Sequence, residues 1–243
     1  DYLYKEKSTF IKKKYGEFIL VNTDFGLANN ILGQDIVREK YSSRISRLEG
    51  AISYQSKQIK LFLEMIEYLS QRVKYNIVIR PHPEESIEIY KYLEKKYKNV
   101  VVVFEGDVIP WLIACKRMIH HDCTTSIEYA MIGKVPISYA AYLDPAYSTQ
   151  VPLEISKKIK KKEDLLDYIV NDKENILDQS KIKILDEWFS YNKNSTKIIS
   201  EEIYKILKKR FDKKNTILES IYLYIIVLFI NIKNFLKFLL LIK

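Results

Sequence analysis

Short, uninterrupted apolar runs alternate with polar turns and amphipathic stretches over the first 140 residues. Residues 17–22 (EFILVN), 76–80 around Ile77-Val78-Ile79, 100–104, Arg117-Met118-Ile119 and Val135-Pro136-Ile137-Ser138 read as five strands. Most are apolar at every position, the signature of a strand buried on both faces. Between them, Ile59, Phe62, Leu63, Ile66 and Leu69 recur at three and four, which predicts an amphipathic helix over 54–73. A second helix is expected from about Glu84 to Tyr97, with Ile87, Tyr90 and Leu93 on its apolar face. A third has Pro110 in its first turn, where a missing N–H is harmless, and is completed by Trp111 to Cys115. A fourth is opened by Thr124-Thr125 and ended by Gly133. The polar stretch 27–50 is long for a structureless loop, so it is expected to carry a short helix and to serve a site. Alternation of this kind predicts a doubly wound parallel α/β sheet, Rossmann-like, with helices on both faces.

Beyond Pro152 the strands are expected to stop. A basic stretch, Lys157 to Lys162, leads into helical patterns near 163–170, 176–189 and 195–211. The division expected is an α/β domain over 1–153, a helical segment over 154–214 and a separate amphipathic helix over 215–243. In that last stretch Thr216, Glu219, Ser220, Asn231, Lys233, Asn234 and Lys237 fall within one arc of roughly 160° at ~100° per residue. The opposite face is Ile, Leu, Phe and Tyr. Only 221–230 is apolar all round, short of the ~20 residues a span needs, and Lys208, Lys209, Arg210, Lys213 and Lys214 precede it. This pattern favours a helix lying on an anionic membrane surface, with burial against another domain or a second subunit as the alternative. The localisation expected is cytoplasmic, peripheral on the inner face of the membrane.

Composition changes this picture little. The net charge is +9, but the lysine runs are not interleaved with aromatics as a stacking platform requires, so no nucleic-acid partner is expected. The two cysteines, Cys115 and Cys123, flank a predicted strand without CxxC or metal-ligand spacing. Free thiols in a reducing compartment are expected, with Cys115 in the core. The first residue is Asp1, and a longer parent protein is expected.

Candidate chemistry concentrates in two blocks, RPHPEES (80–86) and HHDCTTSIEYAMIGKVPISY (120–139). His82, held between two prolines where a strand ends, can donate to a phosphate oxygen or, as a cation, neutralise a leaving phosphate; the plain alternative is a structural turn histidine. Arg80 can add to that charge or simply form a salt bridge within the strand. Thr124 and Thr125 in the first turn of a helix offer hydroxyls and N–H groups to a diphosphate, or merely cap the helix. Glu128 shares their helix face and can accept from ribose hydroxyls, or face solvent. His120 and His121 are adjacent on a strand and point to opposite faces, so no metal site is expected; one should be core and the other at the site. After the preceding strand, backbone groups near Gly106 and Pro110 can meet a base edge and Trp111 can form a wall, with core packing the alternative for the indole.

The RPHP block, the run G-D-V-I-P-W-L (106–112), the run I-H-H-x-C-T-T-S-I-E-x-A-x-x-G-K-x-P-I-S-Y (119–139) and an upstream I-L-V-N-T-D-F (19–25) together carry a resemblance. Over residues 18–139 the chain resembles the surface carbohydrate biosynthesis family of bacterial capsule and O-antigen clusters. Members of that family are similar to the carboxyl-terminal, nucleotide-sugar-binding half of GT-B glycosyltransferases, and related sequence logic occurs in the glycerophosphotransferases of teichoic-acid synthesis. The His-Pro pair and paired hydroxyls are also similar to donor motifs of sialyltransferases and Kdo transferases, which use CMP-sugars. The resemblance implies a glycosyltransferase of surface polysaccharide (lipopolysaccharide or capsule) synthesis with His82 as phosphate ligand or acid and Thr124 and Thr125 as phosphate ligands. It implies a nucleotide-sugar donor, a glycan or lipid-linked acceptor, no cofactor and no metal. A GT-B enzyme needs a second, amino-terminal domain for its acceptor, so a missing domain or partner subunit is expected, with Asp24 the carboxylate at a strand end that can stand in as base. A CDP-polyol phosphotransferase and a non-catalytic nucleotide-binding or scaffolding subunit are the alternatives.

Overall fold

The computed structural model describes residues 4–171, 175–189 and 195–211. In chain order the elements are α1 (Lys5–Tyr15), β1 (Phe18–Asn22), α2 (Gln34–Tyr41), α3 (Leu48–Ser70), β2 (Asn76–Arg80), α4 (Glu88–Lys96), β3 (Val100–Val102) and α5 (Ile109–Ala114). They continue with β4 (Arg117–His120), α6 (Thr125–Met131), β5 (Ile137–Tyr139), α7 (Gln150–Glu154), β6 (Lys157–Ile159), α8 (Lys162–Val170), α9 (Gln179–Phe189) and α10 (Ser195–Phe211).

Six parallel strands form one sheet in the order β3-β2-β1-β4-β5-β6. The pleat sends successive side chains to opposite faces, and the core divides accordingly. Ile19, Val21, Ile77, Ile79, Ile119 and Ile137 face α3, α4 and α8, where Phe62, Ile66, Tyr90, Leu93 and Leu165 meet them. Phe18, Leu20, Val78 and Met118 face the other way, onto Ile11 of α1, Trp111 and Leu112 of α5 and Tyr129 of α6. All five residues of β1 are buried, as a central strand covered on both faces must be.

Several boundaries differ from the sequence reading. The strands do not stop at Pro152: residues 157–159, within the basic stretch expected to lead into helices, are β6, pairing with β5 through Ile137 and Lys157. Only Ile159 of the three is buried, so the apolar signal of a strand is missing. Lysines on a short outer strand discourage a further chain from pairing there, which gives the basic stretch a structural purpose. The first compact unit accordingly runs over 1–191, beyond the boundary expected at 153. The strand expected over 100–104 ends at Val102. The helix expected from Glu84 begins only at Glu88, because residues 83–86 form a turn bridged to Asn30. The long helix starts at Leu48, six residues early. Residues 27–50 do contain a short helix, α2. The second compact unit, 192–243, contributes α10 to the described residues; the amphipathic helix expected over 215–243 lies outside them. Among the described residues no helix is long and apolar enough to cross a membrane.

Candidate functional site

From β1 the chain steps outward to β2 and β3, then returns to place β4 on the opposite side of β1. Where the order reverses, the connections leaving β1 and β4 diverge to opposite faces and a crevice opens at the carboxyl ends of the strands. A cleft of about 300 Å³ lies at this edge, lined by Asn22 from β1, Arg80 to Pro83 from β2, Phe104, Gly106 and Val108 after β3, and Thr125 at the start of α6. The two motif blocks thus meet in space through His82 and Thr125.

The His82 backbone N–H donates to Glu85 Oε1 at 3.0 Å, and its ring Nδ1 accepts the Glu84 N–H at 3.2 Å. An accepting Nδ1 requires the proton of the neutral ring to sit on Nε2, the nitrogen left for a ligand. Arg80 donates to the carbonyls of Glu105, at 2.7 Å, and of Gly106, and its guanidinium lies 5.9 Å from the Trp111 ring. It therefore lines the cleft and holds the β3–α5 loop at once; burial lowers its pKa, against the pull of Asp107.

Thr125 is half-buried, and its Oγ1 accepts from Asn22 Nδ2 at 3.4 Å, tying the end of β1 to the start of α6. Thr124 occupies the capping position but makes no capping bond; it is exposed and does not line the cleft. The threonine pair is therefore split. Glu128 is exposed one turn further along α6, its carboxyl raised by partial desolvation.

Neither histidine of the 120–121 pair lines the cleft, a correction to the expectation that one would. His120 is fully buried and bonded through Nε2 to Ser156 Oγ at 2.8 Å, and loss of water pushes its pKa down to about 3. His121, also buried, accepts the Tyr54 hydroxyl at Nε2, 2.6 Å away, and donates from Nδ1 to the Tyr139 carbonyl at 3.4 Å. Its ring stands edge-on to Phe62. The pleat does send the two rings to different faces, but helices cover both.

Pro110 and Trp111 are likewise buried away from His82. Trp111 packs against Phe18 and Tyr15, with ring centroids 6.1 and 5.3 Å apart, which is the core alternative. Both residues border a second groove of about 500 Å³ between α1 and the β3–α5 loop, next to Phe10, Tyr15 and the Lys7–Asp107 ion pair. The two cavities adjoin at Gly106.

Two acids that the motifs underplayed gather at the same edge. Asp24 follows β1; desolvation raises its pKa, the nearby His82 opposes that rise, and Glu85, Asp122 and Glu84 add to it. Asp122 accepts the Thr149 N–H at 2.8 Å, and burial raises its carboxyl too, against the pull of His121. Glu85 is the larger omission. It is 0% exposed, and as the second glutamate of an expected helix start it carried no signal in the sequence. Among the described residues no group of three or more His, Cys, Asp or Glu is placed to hold a metal ion.

Strand order and cleft position together define a Rossmann-like, doubly wound α/β unit with its crevice at the topological switch point. No protein-family model and no curated protein matches the chain. Among solved structures it is similar to the wall teichoic acid polymerase TagF, at 14% identity and a TM-score of 0.42. That alignment covers 85% of this chain and 47% of the polymerase, so the chain spans about half the length of the protein it is compared with.

Proposed function

We propose that this chain is the donor-binding part of a glycosyltransferase of bacterial surface polysaccharide synthesis, taking a nucleotide-sugar in the cleft between the β2 and β4 connections. The observation that carries this reading is the convergence of His82, Arg80 and Thr125 on one cleft at the switch point. The Nε2–H of His82 and the Thr125 hydroxyl would donate to the phosphate of the donor. As negative charge develops on the departing nucleotide, the Nε2–H of His82 and the Arg80 guanidinium stabilise it, the largest effect available without covalent chemistry. Asp24, raised in pKa and electrostatically coupled to His82, is the carboxylate proposed to take the acceptor's proton. The acceptor is proposed to be a glycan or a lipid-linked sugar, with a further domain or subunit presenting it. The cationic run Lys205 to Lys214 and the apolar face beyond it support peripheral attachment to the inner membrane surface.

Thermal shift against CMP, CDP, UDP and GDP tests the site, since a ligand at ten times its Kd stabilises the folded chain by ~1.4 kcal/mol. At least one should raise the midpoint. If none does at millimolar concentration, the cleft is not a nucleotide site. A CDP-alcohol in the same titration distinguishes a polyol-phosphate donor from a nucleotide-sugar.

A further inference from the structure

Beneath the RPHP turn lies a buried acidic bracket. Glu85 Oε1 accepts the Thr23 hydroxyl at 2.7 Å and the His82 N–H at 3.0 Å, while Oε2 accepts the Tyr90 hydroxyl at 2.6 Å. Tyr90 lies 3.3 Å from Thr23 Oγ1 and closes the circuit. Three donors, from the residue after β1, the turn and α4, therefore converge on one side chain that water does not reach. The opposite side of the turn is held as well. Ile31 N–H donates to the Glu84 carbonyl and Ser86 N–H to the Asn29 carbonyl, each at 2.8 Å. A Cβ added to Gly26 would stand 3.2 Å from Glu84 Cβ, so the turn after β1 packs closely on Glu84, beside the histidine.

Burying a carboxyl group is costly unless its lone pairs are filled, and here the donors are drawn from three separate segments of the chain. Such an arrangement is more than a helix start requires, and it fixes the backbone from which the His82 ring projects. We infer that Glu85 is a positioning residue, which holds the turn so that the His82 ring keeps Nδ1 on the Glu84 N–H and presents Nε2–H to the cleft. The positioning stands on the geometry alone; its use in catalysis rests on the function proposed above.

The chain has three histidines, so the ring nitrogens of His82 can be assigned in a ¹⁵N-labelled sample by comparison with His82→Gln. In the native chain the neutral ring should be the Nε2–H tautomer. Glu85→Ala should give a mixture of tautomers and weaken CDP binding roughly 10- to 100-fold, as loss of a supporting contact does. Glu85→Gln keeps the acceptor oxygen for the His82 N–H and Thr23 and should restore both signals. Tyr90→Phe removes one donor without removing the acid, and should shift the tautomer in the same direction to a smaller degree. It serves where Glu85→Ala does not fold. A folded Glu85→Ala or Tyr90→Phe variant with an unchanged His82 tautomer and CDP affinity would overturn the inference. If the tautomer shifts but the native chain binds no CDP, the positioning role is upheld and the nucleotide reading alone fails.

Discussion

Thr124 and Thr125 show how far residue type is from residue role. They are chemically identical neighbours, yet only Thr125 reaches the cleft, because the turn of the backbone leaves Thr124 pointing to solvent. Thr125→Val should therefore weaken nucleotide binding roughly 10- to 100-fold, the loss of a hydrogen bond to a charged group. Thr124→Val should leave affinity within about twofold, for want of any such bond. Calorimetric titration of both variants checks this; equal losses would mean that the ligand sits over the helix end and not in the cleft. His120 makes a second case. Unfolded, it takes up a proton near its ordinary pKa of 6.5; folded, it resists until about 3. Below about pH 6.5 the unfolded state binds the extra proton, so stability should fall by ~1.4 kcal/mol per pH unit from this group. Burial lowers the His121 pKa as well, which adds with the same sign. Denaturant midpoints at pH 7 and pH 5 should fall further apart in the native chain than in His120→Asn. An equal fall in both would show that His120 is not the titrating group.

At the scale of elements, legibility followed burial. β1, β2 and β4 were readable because a central strand covered on both faces carries an uninterrupted apolar run, here 18–21, 77–79 and 118–119. The outer strand β6 was hidden, since an outer strand needs only one buried residue to join the sheet and gains from charge elsewhere. Replacing Lys157 and Lys158 together with valine should leave the midpoint of unfolding nearly unchanged while promoting association, measured by light scattering against concentration. A double variant that stays monodisperse would remove the protective role from these lysines. The turn 83–86 was misread as helix for a different reason. Its Glu-Glu-Ser sequence suits a first helical turn, but the long connection after β1 supplies backbone partners to Glu84 and Ser86 instead.

For the whole molecule, the cleft lies within the first compact unit, 1–191, and the cationic run and the apolar-rich sequence after it lie in the second. A chain ending at residue 191 should keep its nucleotide affinity. The full chain should sediment with anionic vesicles, more weakly with neutral ones, and lose part of its binding in salt, since each basic residue near the surface adds ~1 kcal/mol that ions screen. The shortened chain should remain in the supernatant. Loss of nucleotide binding on truncation would place the second unit in the site, and equal binding of both chains to vesicles would remove it as the anchor.

By itself the sequence determined what depends on local rules: the alternation of buried strands and amphipathic helices, the parallel class of the sheet, and the two polar blocks at strand ends. His82 and Thr125 could be nominated from their places after apolar runs, because a strand end and a helix start are written in a few consecutive residues. Tertiary structure alone decided which nominees meet. His120, His121 and Trp111 have the same chemistry in sequence as any ligand, and only the packing of Ser156, Tyr54 and Tyr15 against them shows that they are core. Glu85 needed the converse. Its three donors come from residues 23, 82 and 90, and no pattern along the chain records that a fold will bring them to one carboxylate.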